Sequence, residues 1–236
     1  MPDDMREIVK FPRTPHLEGS RTQRGDEDVA IVSPLDLRGQ YLVVEEKVDG
    51  ANSAISFDED GTLILQSRGH VLSGGPRERQ FDLFKRWANH HRATLWSLLG
   101  PRFIMYGEWL YARHTIPYDL LPHFFLEFDL LDRGSGDFLS TDRRRKILEG
   151  GPVVSVPVLA SGVLGKFESL IGLSQCASNE LMEGLYIKWE EEGRVLGRYK
   201  FVRSGFLQAV EEEGMHWMDR PIEPNQLRPD VDLFGS

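Results

Sequence analysis

Cysteine is nearly missing: one residue, Cys176, in a chain of 236. That excludes an internal disulfide and a Cys-rich zinc site, and it fits a reducing compartment. The seven histidines form no His-Glu-x-x-His pattern. His90 and His91 adjoin in a helical stretch, where neighbours point apart, and read as surface residues. No Gly-x-Gly-x-x-Gly or Walker A run occurs, which speaks against a Rossmann domain. Long apolar runs are also lacking. The best, Pro152 to Leu164, is too short to span a bilayer and carries Pro157, and Met1 to Arg13 lack the apolar core of a signal peptide. A cytoplasmic chain without a membrane contact is the expectation. Positive charge is in deficit: 28 Lys and Arg against 37 Asp and Glu give a net charge of -9. The mean field repels phosphate, so any polyanion site must be local.

What is present is ordinary globular composition, 40% hydrophobic and 28% charged, with no internal repeat and no low-complexity linker. One domain is the default reading. Residues 1–40, rich in Arg, Asp, Pro and Gly, read as an irregular N-terminal segment. From Tyr41 the pattern changes. Strands are expected at Tyr41 to Glu45, Ala54 to Phe57 and Thr62 to Ser67, the last two joined by the turn Asp58-Glu59-Asp60-Gly61. Phe81, Phe84, Ala88, His91, Leu95 and Leu98 recur at steps of three and four and predict a helix from about Arg77 to Leu99. Strands follow at Arg102 to Tyr111 and His123 to Leu131, then a helix at Thr141 to Leu148 capped by Ser140 or Thr141. After a β-like Val153 to Leu159 and a helix near Phe167 to Gln175, a hairpin pairs Leu185 to Trp189 with Arg194 to Val202 around the turn Glu190-Glu191-Glu192-Gly193. Strands without regular βαβ alternation predict an α+β fold of mostly antiparallel sheets.

The segment Glu46-Lys47-Val48-Asp49-Gly50-Ala51-Asn52 holds a lysine at a strand end on a tight, Gly-assisted turn. A lysine so placed can be a nucleophile, and taken alone the same residues also describe a solvated β-turn. An ordered series lies behind it. Ser67-Arg68-Gly69 follows the third strand, Gly107-Glu108 sits inside an apolar strand, and Phe128-Asp129 ends an aromatic run. Glu183-Gly184-Leu185-Tyr186-Ile187-Lys188 and Arg198-Tyr199-Lys200 form the last hairpin. A carboxylate at Glu108, between Tyr106 and Trp109, needs a partner, whereas Phe128 alone has the look of a core aromatic. In this order and spacing the segments resemble the covalent nucleotidyltransferase superfamily of ATP-dependent ligases and capping enzymes, most closely ATP-dependent RNA ligases of the RNA ligase 2 type. The likeness covers residues 41–203. It implies an α+β, ATP-grasp-like nucleotidyltransferase core at 41–203, with 204–236 as a C-terminal helix and tail. The 33 residues after Arg203 are too short for the OB domain of DNA ligases and capping enzymes.

The resemblance also implies roles. Lys47 would form a lysyl-adenylate from ATP, and AMP would pass to an RNA 5′-phosphate before a 3′-hydroxyl displaces it. Lys188 and Lys200 would neutralise phosphate, with Arg198 as a further phosphate contact. Glu46 would belong to the nucleotide pocket, Asn52 and Glu108 would bind the ribose, and Arg68 the ribose or the incoming 5′-phosphate. Phe128 would stack on the adenine with Tyr186 over its other face. Glu183 would help hold Mg²⁺ or Mn²⁺, and Asp49 would stabilise the turn. An amine of pKa near 10.4 is deprotonated in about one molecule in 2,500 at pH 7, a cost of roughly 4.6 kcal/mol. The reading therefore requires Lys188, Lys200 and a metal to outweigh the carboxylates near Lys47. RNA ends are the implied partners. Basic clusters at Arg77, Arg79, Lys85, Arg86 and Arg92 and at Arg143-Arg144-Arg145-Lys146 are either RNA contacts or solvated faces. An RNA end-processing kinase or phosphatase is a further candidate partner. Two alternatives stay open: a related enzyme, either a minimal DNA ligase or a capping-type guanylyltransferase, and a non-catalytic nucleotide or RNA-end binding module.

Overall fold

The computed structural model describes residues 8–22, 26, 28–163, 182–204, 206 and 221–235. In chain order its elements are β1 (His16–Leu17), β2 (Ile31–Val32), β3 (Tyr41–Lys47), β4 (Ala51–Phe57) and β5 (Leu63–Ser67). Helices α1 (Asp82–His90) and α2 (Arg92–Leu99) follow, then β6 (Phe103–Trp109), β7 (Phe125–Asp132), α3 (Thr141–Leu148), β8 (Val154–Ser155) and β9 (Val158–Val163). The hairpin β10 (Gly184–Glu191) and β11 (Arg194–Val202) completes the set. The strands make two sheets, ordered β2-β1-β11-β10-β3-β9 and β5-β4-β6-β7-β8. Pairing is antiparallel throughout, apart from the short β1 and β8 contacts. The α+β class with mostly antiparallel sheets is thus the observed one. Among the described residues no helix is long and apolar enough to cross a membrane. The helix expected at 167–175 lies outside the described residues, as do residues 205, 207–220 and 236 of the C-terminal segment.

Period-2 alternation divides the faces of the first sheet. Leu42, Val44, Leu185, Ile187 and Phe201 point one way into a small apolar cluster. Glu45, Lys47, Tyr186, Lys188 and Lys200 have the opposite parity. In the second sheet Phe57, Met105, Trp109 and Phe125 join the larger core with Phe84, Trp87, Leu95 and Leu99 of the helices. Each such buried side chain contributes about 1.5–3 kcal/mol relative to exposure.

The single helix expected over 77–99 is divided. A 3-10 turn covers Pro76–Phe81, and His91 (φ -92, ψ 14) separates α1 from α2. The i to i-4 ladder continues on both sides, with His91 N donating to Trp87 O and Leu95 N to His91 O. The apolar periodicity therefore passes through the kink unchanged and could not signal it.

The hairpin turn is shorter than expected. Glu192 and Gly193 both adopt left-handed φ (50 and 79), a two-residue turn whose twist suits the strands, and Glu191 faces Arg194. A bulge between Trp189 and Glu190 then shifts the ladder. Lys200 faces Tyr186, and the Glu183 carbonyl accepts from Arg203 N. Ser140 occupies the N-cap of α3 without a side-chain cap bond. The cap comes from the hairpin: Glu190 Oε1 accepts from Thr141 N (2.9 Å) and Thr141 Oγ1 (2.6 Å), a carboxylate at a helix N-terminus.

Candidate active site

Lys47 ends β3 where β10 begins, paired in register with Gly184. Gly184 is required there, because a Cβ would overlap the carbonyl of Phe201 on the neighbouring strand. The close approach brings Glu183 beside Lys47, whose Nζ donates to Glu183 Oε2 at 2.7 Å. Across the cleft Asn52 on β4 stands opposite Glu108 on β6. Glu46, Lys47, Asn52, Arg68, Glu108, Phe128, Tyr186 and Lys200 line one cavity. The two sheets meet at this cavity, and the pairing of β3 with β10 within the first sheet brings Lys47 against Glu183, 136 positions away in sequence.

Electrostatics at the lysine differ from the expected ring of cations. Burial disfavours its ammonium, but the carboxylates of Glu183, Glu108 and Asp49 outweigh burial and hold Lys47 above its ordinary value. The two lysines expected to depress it are engaged elsewhere. Lys188 Nζ lies 2.9 Å from Glu45 and 3.0 Å from Asp129, and Lys200 Nζ donates to Asp26 at 2.8 Å. Glu108 is pushed up to about 8 and Glu183 to about 7, both chiefly by burial and against the pull of Lys47. Burial also raises Glu46. Asp49 faces away from the cavity: its Oδ2 accepts from Thr115 N (2.7 Å) and Ile116 N (3.0 Å), which fixes the turn after Lys47.

Aromatic walls complete the cavity. Phe128 meets Tyr186 edge-on at 5.8 Å and Phe11 at 5.1 Å. Lys188 does not line it; its side chain is 0% exposed, beneath the aromatic wall. Arg198 is held by rings, with its guanidinium 3.8 Å from the centroid of Phe138, and its Nη1 is buried without a hydrogen-bond partner. The run Arg143-Arg144-Arg145-Lys146 is not a continuous basic face, because Arg144 is fully buried in ion pairs with Glu45 and Glu127. In the other cluster Lys85 is bound to Glu78 at 2.5 Å and Arg92 to the Gly61 carbonyl at 2.6 Å.

Several site residues carried no readable signal. Phe11, Pro12 and Thr14 line the cavity from the N-terminal segment, and β1 joins that segment to β11. Asp26 holds Lys200 and accepts or shares a proton with His16 Nε2 at 2.9 Å. Burial opposes ionisation of Asp26, yet hydrogen bonds from Lys200 and His16 bring it down to about 2. An aromatic beside a proline, Phe11-Pro12, was the one available hint.

A divalent metal suits part of this donor set. Glu108 Oε2 is buried without a hydrogen-bond partner, and the Glu183 carboxylate raises Glu108 further by charge repulsion, which a cation would relieve. Among the described residues no group of three or more His, Cys, Asp or Glu could hold a metal by itself. That matches an ion completed by phosphate and water oxygens.

Comparison with solved structures places the fold. A variant of Naegleria gruberi RNA ligase solved with ATP and Mn matches at TM-score 0.52 and 17% identity, covering 74% of this chain and 53% of that one. A second variant, with AMP and Mn, matches at TM-score 0.55 with the same identity and coverage. A protein from Aquifex aeolicus described as a candidate ATP-dependent DNA ligase matches at TM-score 0.54 and 18% identity, covering 84% of this chain and 50% of that one. The chain spans about half the length of these relatives, and no curated protein matches it. The sequence profile of the RNA ligase family matches residues 40–202, more than half of the chain and the same stretch that carries the cavity, so the protein belongs to the RNA ligase family.

Proposed function

We propose that the protein is an ATP-dependent RNA ligase that works through a lysyl-adenylate on Lys47. The carrying observation is the cavity that gathers Lys47, Glu108, Lys200, Phe128 and Tyr186 from both sheets, with Glu183 hydrogen-bonded to Lys47. In the first step the Nζ–Pα bond forms, the bond from Pα to the bridging oxygen breaks, pyrophosphate leaves and the ammonium gives up two of its three protons. In the second the adenylyl group passes to an RNA 5′-phosphate and restores the lysine. In the third an RNA 3′-hydroxyl attacks that phosphate and AMP departs.

Phe128 supplies a stacking face for adenine, worth about 1–3 kcal/mol per stacked base, and Tyr186, edge-on to Phe128 at 5.8 Å, forms the adjoining wall rather than covering the base's other face. Asn52 and Glu108 face the ribose, Glu46 borders the base and sugar, and Arg68 sits at the rim for the ribose or the incoming 5′-phosphate. Lys200 neutralises phosphate charge as it develops, with Arg198 behind it on the aromatic ring. Glu183, with Glu108 close by, is the carboxylate for Mg²⁺ or Mn²⁺, which when bound supplies positive charge against the triphosphate. The ammonium of Lys47 is stabilised by its carboxylate neighbours, so attack requires that charge balance to change on loading the site. Because joining needs a 5′-phosphate and a 3′-hydroxyl, ends bearing other groups require a kinase or phosphatase partner first.

The test is covalent labelling with α-labelled ATP and metal. The wild type should take up a covalent label that survives denaturing electrophoresis and alkali but is released by acid, as a lysyl phosphoramidate is, and Lys47→Ala should lack it. Label from GTP rather than ATP would select the capping-type reading, sealing of nicked DNA but not RNA would select the DNA ligase reading, and ATP binding without label would leave a binding module.

A further inference from the structure

We infer that Lys188 is a positioning residue that fixes the two aromatic walls of the nucleotide cavity from beneath. This rests on the nucleotide reading of that cavity. The family resemblance implies a phosphate contact for Lys188, and its surroundings favour another role. Three oxygens already surround Nζ: it donates to the Phe128 carbonyl at 2.5 Å and forms ion pairs at 2.9 Å with Glu45 Oε2 and 3.0 Å with Asp129 Oδ1. Those two buried carboxylates hold the charge where it is. The side chain is 0% exposed, and the cavity lining does not include it. Reaching a phosphate would mean abandoning two buried carboxylates.

The same contacts lead to the walls. The carbonyl that Lys188 binds belongs to Phe128. The other oxygen of Asp129, Oδ2, accepts from the Tyr186 hydroxyl at 2.5 Å, and Nζ also lies 5.3 Å from the centre of the Tyr186 ring. One cation thus ties the backbone of one wall and, through Asp129, the phenol of the other. Beneath them Arg144 pairs with Glu45 and Glu127, and Ser155 Oγ donates to Glu127 at 2.7 Å. The set is anchored in β3, β7, β10 and α3 together, which makes the platform rigid rather than adjustable.

A positioning role and a phosphate contact differ in which ligands they affect. Adenosine, which has no phosphate, and ATP are titrated calorimetrically against wild type, Lys188→Met and Tyr186→Phe. Lys188→Met should weaken both ligands by the same factor, on the order of tenfold, and Tyr186→Phe should weaken both equally by less. Because each acts through Asp129, the double variant should lose less than the product of the single losses. Loss of ATP affinity with adenosine unchanged would overturn the inference, as would no change in either. If Lys188→Met shows no cooperative unfolding, Tyr186→Phe decides: an equal loss for both ligands supports the platform, and an unaltered pair overturns it. Wild-type protein that binds neither ligand would sink the nucleotide reading, and this inference with it. Wild type that binds both while the ratios fail would sink this inference alone.

Discussion

Glu108 is a carboxyl group whose surroundings resist its ionisation, since burial raises it to about 8 in spite of Lys47. Between the ordinary glutamate value, near 4.3, and about 8, the folded chain therefore holds a proton that the unfolded chain releases. Stability conferred at low pH must then fall as pH rises through that interval. Glu108→Gln cannot ionise, so its thermal midpoint should exceed that of the wild type by several degrees at pH 8, with a smaller gap near pH 5. The same variant should lose labelling by on the order of 100-fold, the scale for one electrostatic group in an active site. Midpoints that run parallel from pH 5 to pH 8 would show that Glu108 is not a strained carboxyl. Lys47, Glu108 and Lys200, picked out in the sequence by type and order, line one cavity, with Glu183 against Lys47. The residues that fix the walls from beneath were not legible in the sequence. Arg144 in an Arg-Arg-Arg-Lys run has the local look of a solvated cation, and only the long-range partners Glu45 and Glu127 make it a buried one. Asp26 and Phe11 lie in a segment whose composition reads as irregular.

Among the elements, β10 does most to shape the site, because it pairs with both β3 and β11 and carries Tyr186 and Lys188. Its first residue, Gly184, has no room for a side chain against the Phe201 carbonyl. Gly184→Ala should therefore push β10 away from β11 and cost about 1–3 kcal/mol, seen as a lower urea midpoint with an unchanged slope. Lys47 labelling should fall with it, since the same shift moves Glu183. A variant with wild-type midpoint and label would mean that the strands have slack at that point. Strands β3 to β7 and the hairpin were legible because alternation and turn residues are local signals. The register was not. A two-residue turn with a bulge and a four-residue turn without one use the same residues, and the choice is made by packing across the sheet. Helix α3 shows the same limit: its cap is Glu190, 49 positions away, which no window along the chain can reveal.

At the scale of the whole molecule, a chain of net charge -9 must attract RNA through few cations. Arg144 is buried, Lys85 and Arg92 are engaged away from the cavity, and Lys188 is enclosed, so the cavity offers phosphate mainly Arg68, together with Lys47 and Lys200 once they exchange Glu183 and Asp26 for it. Binding of single-stranded RNA releases about 0.7 counterions for each phosphate neutralised. Three such contacts predict a log–log salt slope of about -2. Affinity for a short 5′-phosphorylated RNA should then fall about 16-fold between 50 and 200 mM KCl, measured by fluorescence anisotropy. A broad basic face would give a slope of about -5 or steeper. That result would place RNA on a surface other than the cavity rim and would return Arg143, Arg145 and Lys146 as contacts. A shallow slope together with a large loss on Arg68→Ala would instead confine recognition to the terminal phosphate. Such recognition suits an acidic protein: its average field rejects the body of the RNA, while a few cations at the cavity rim accept its end.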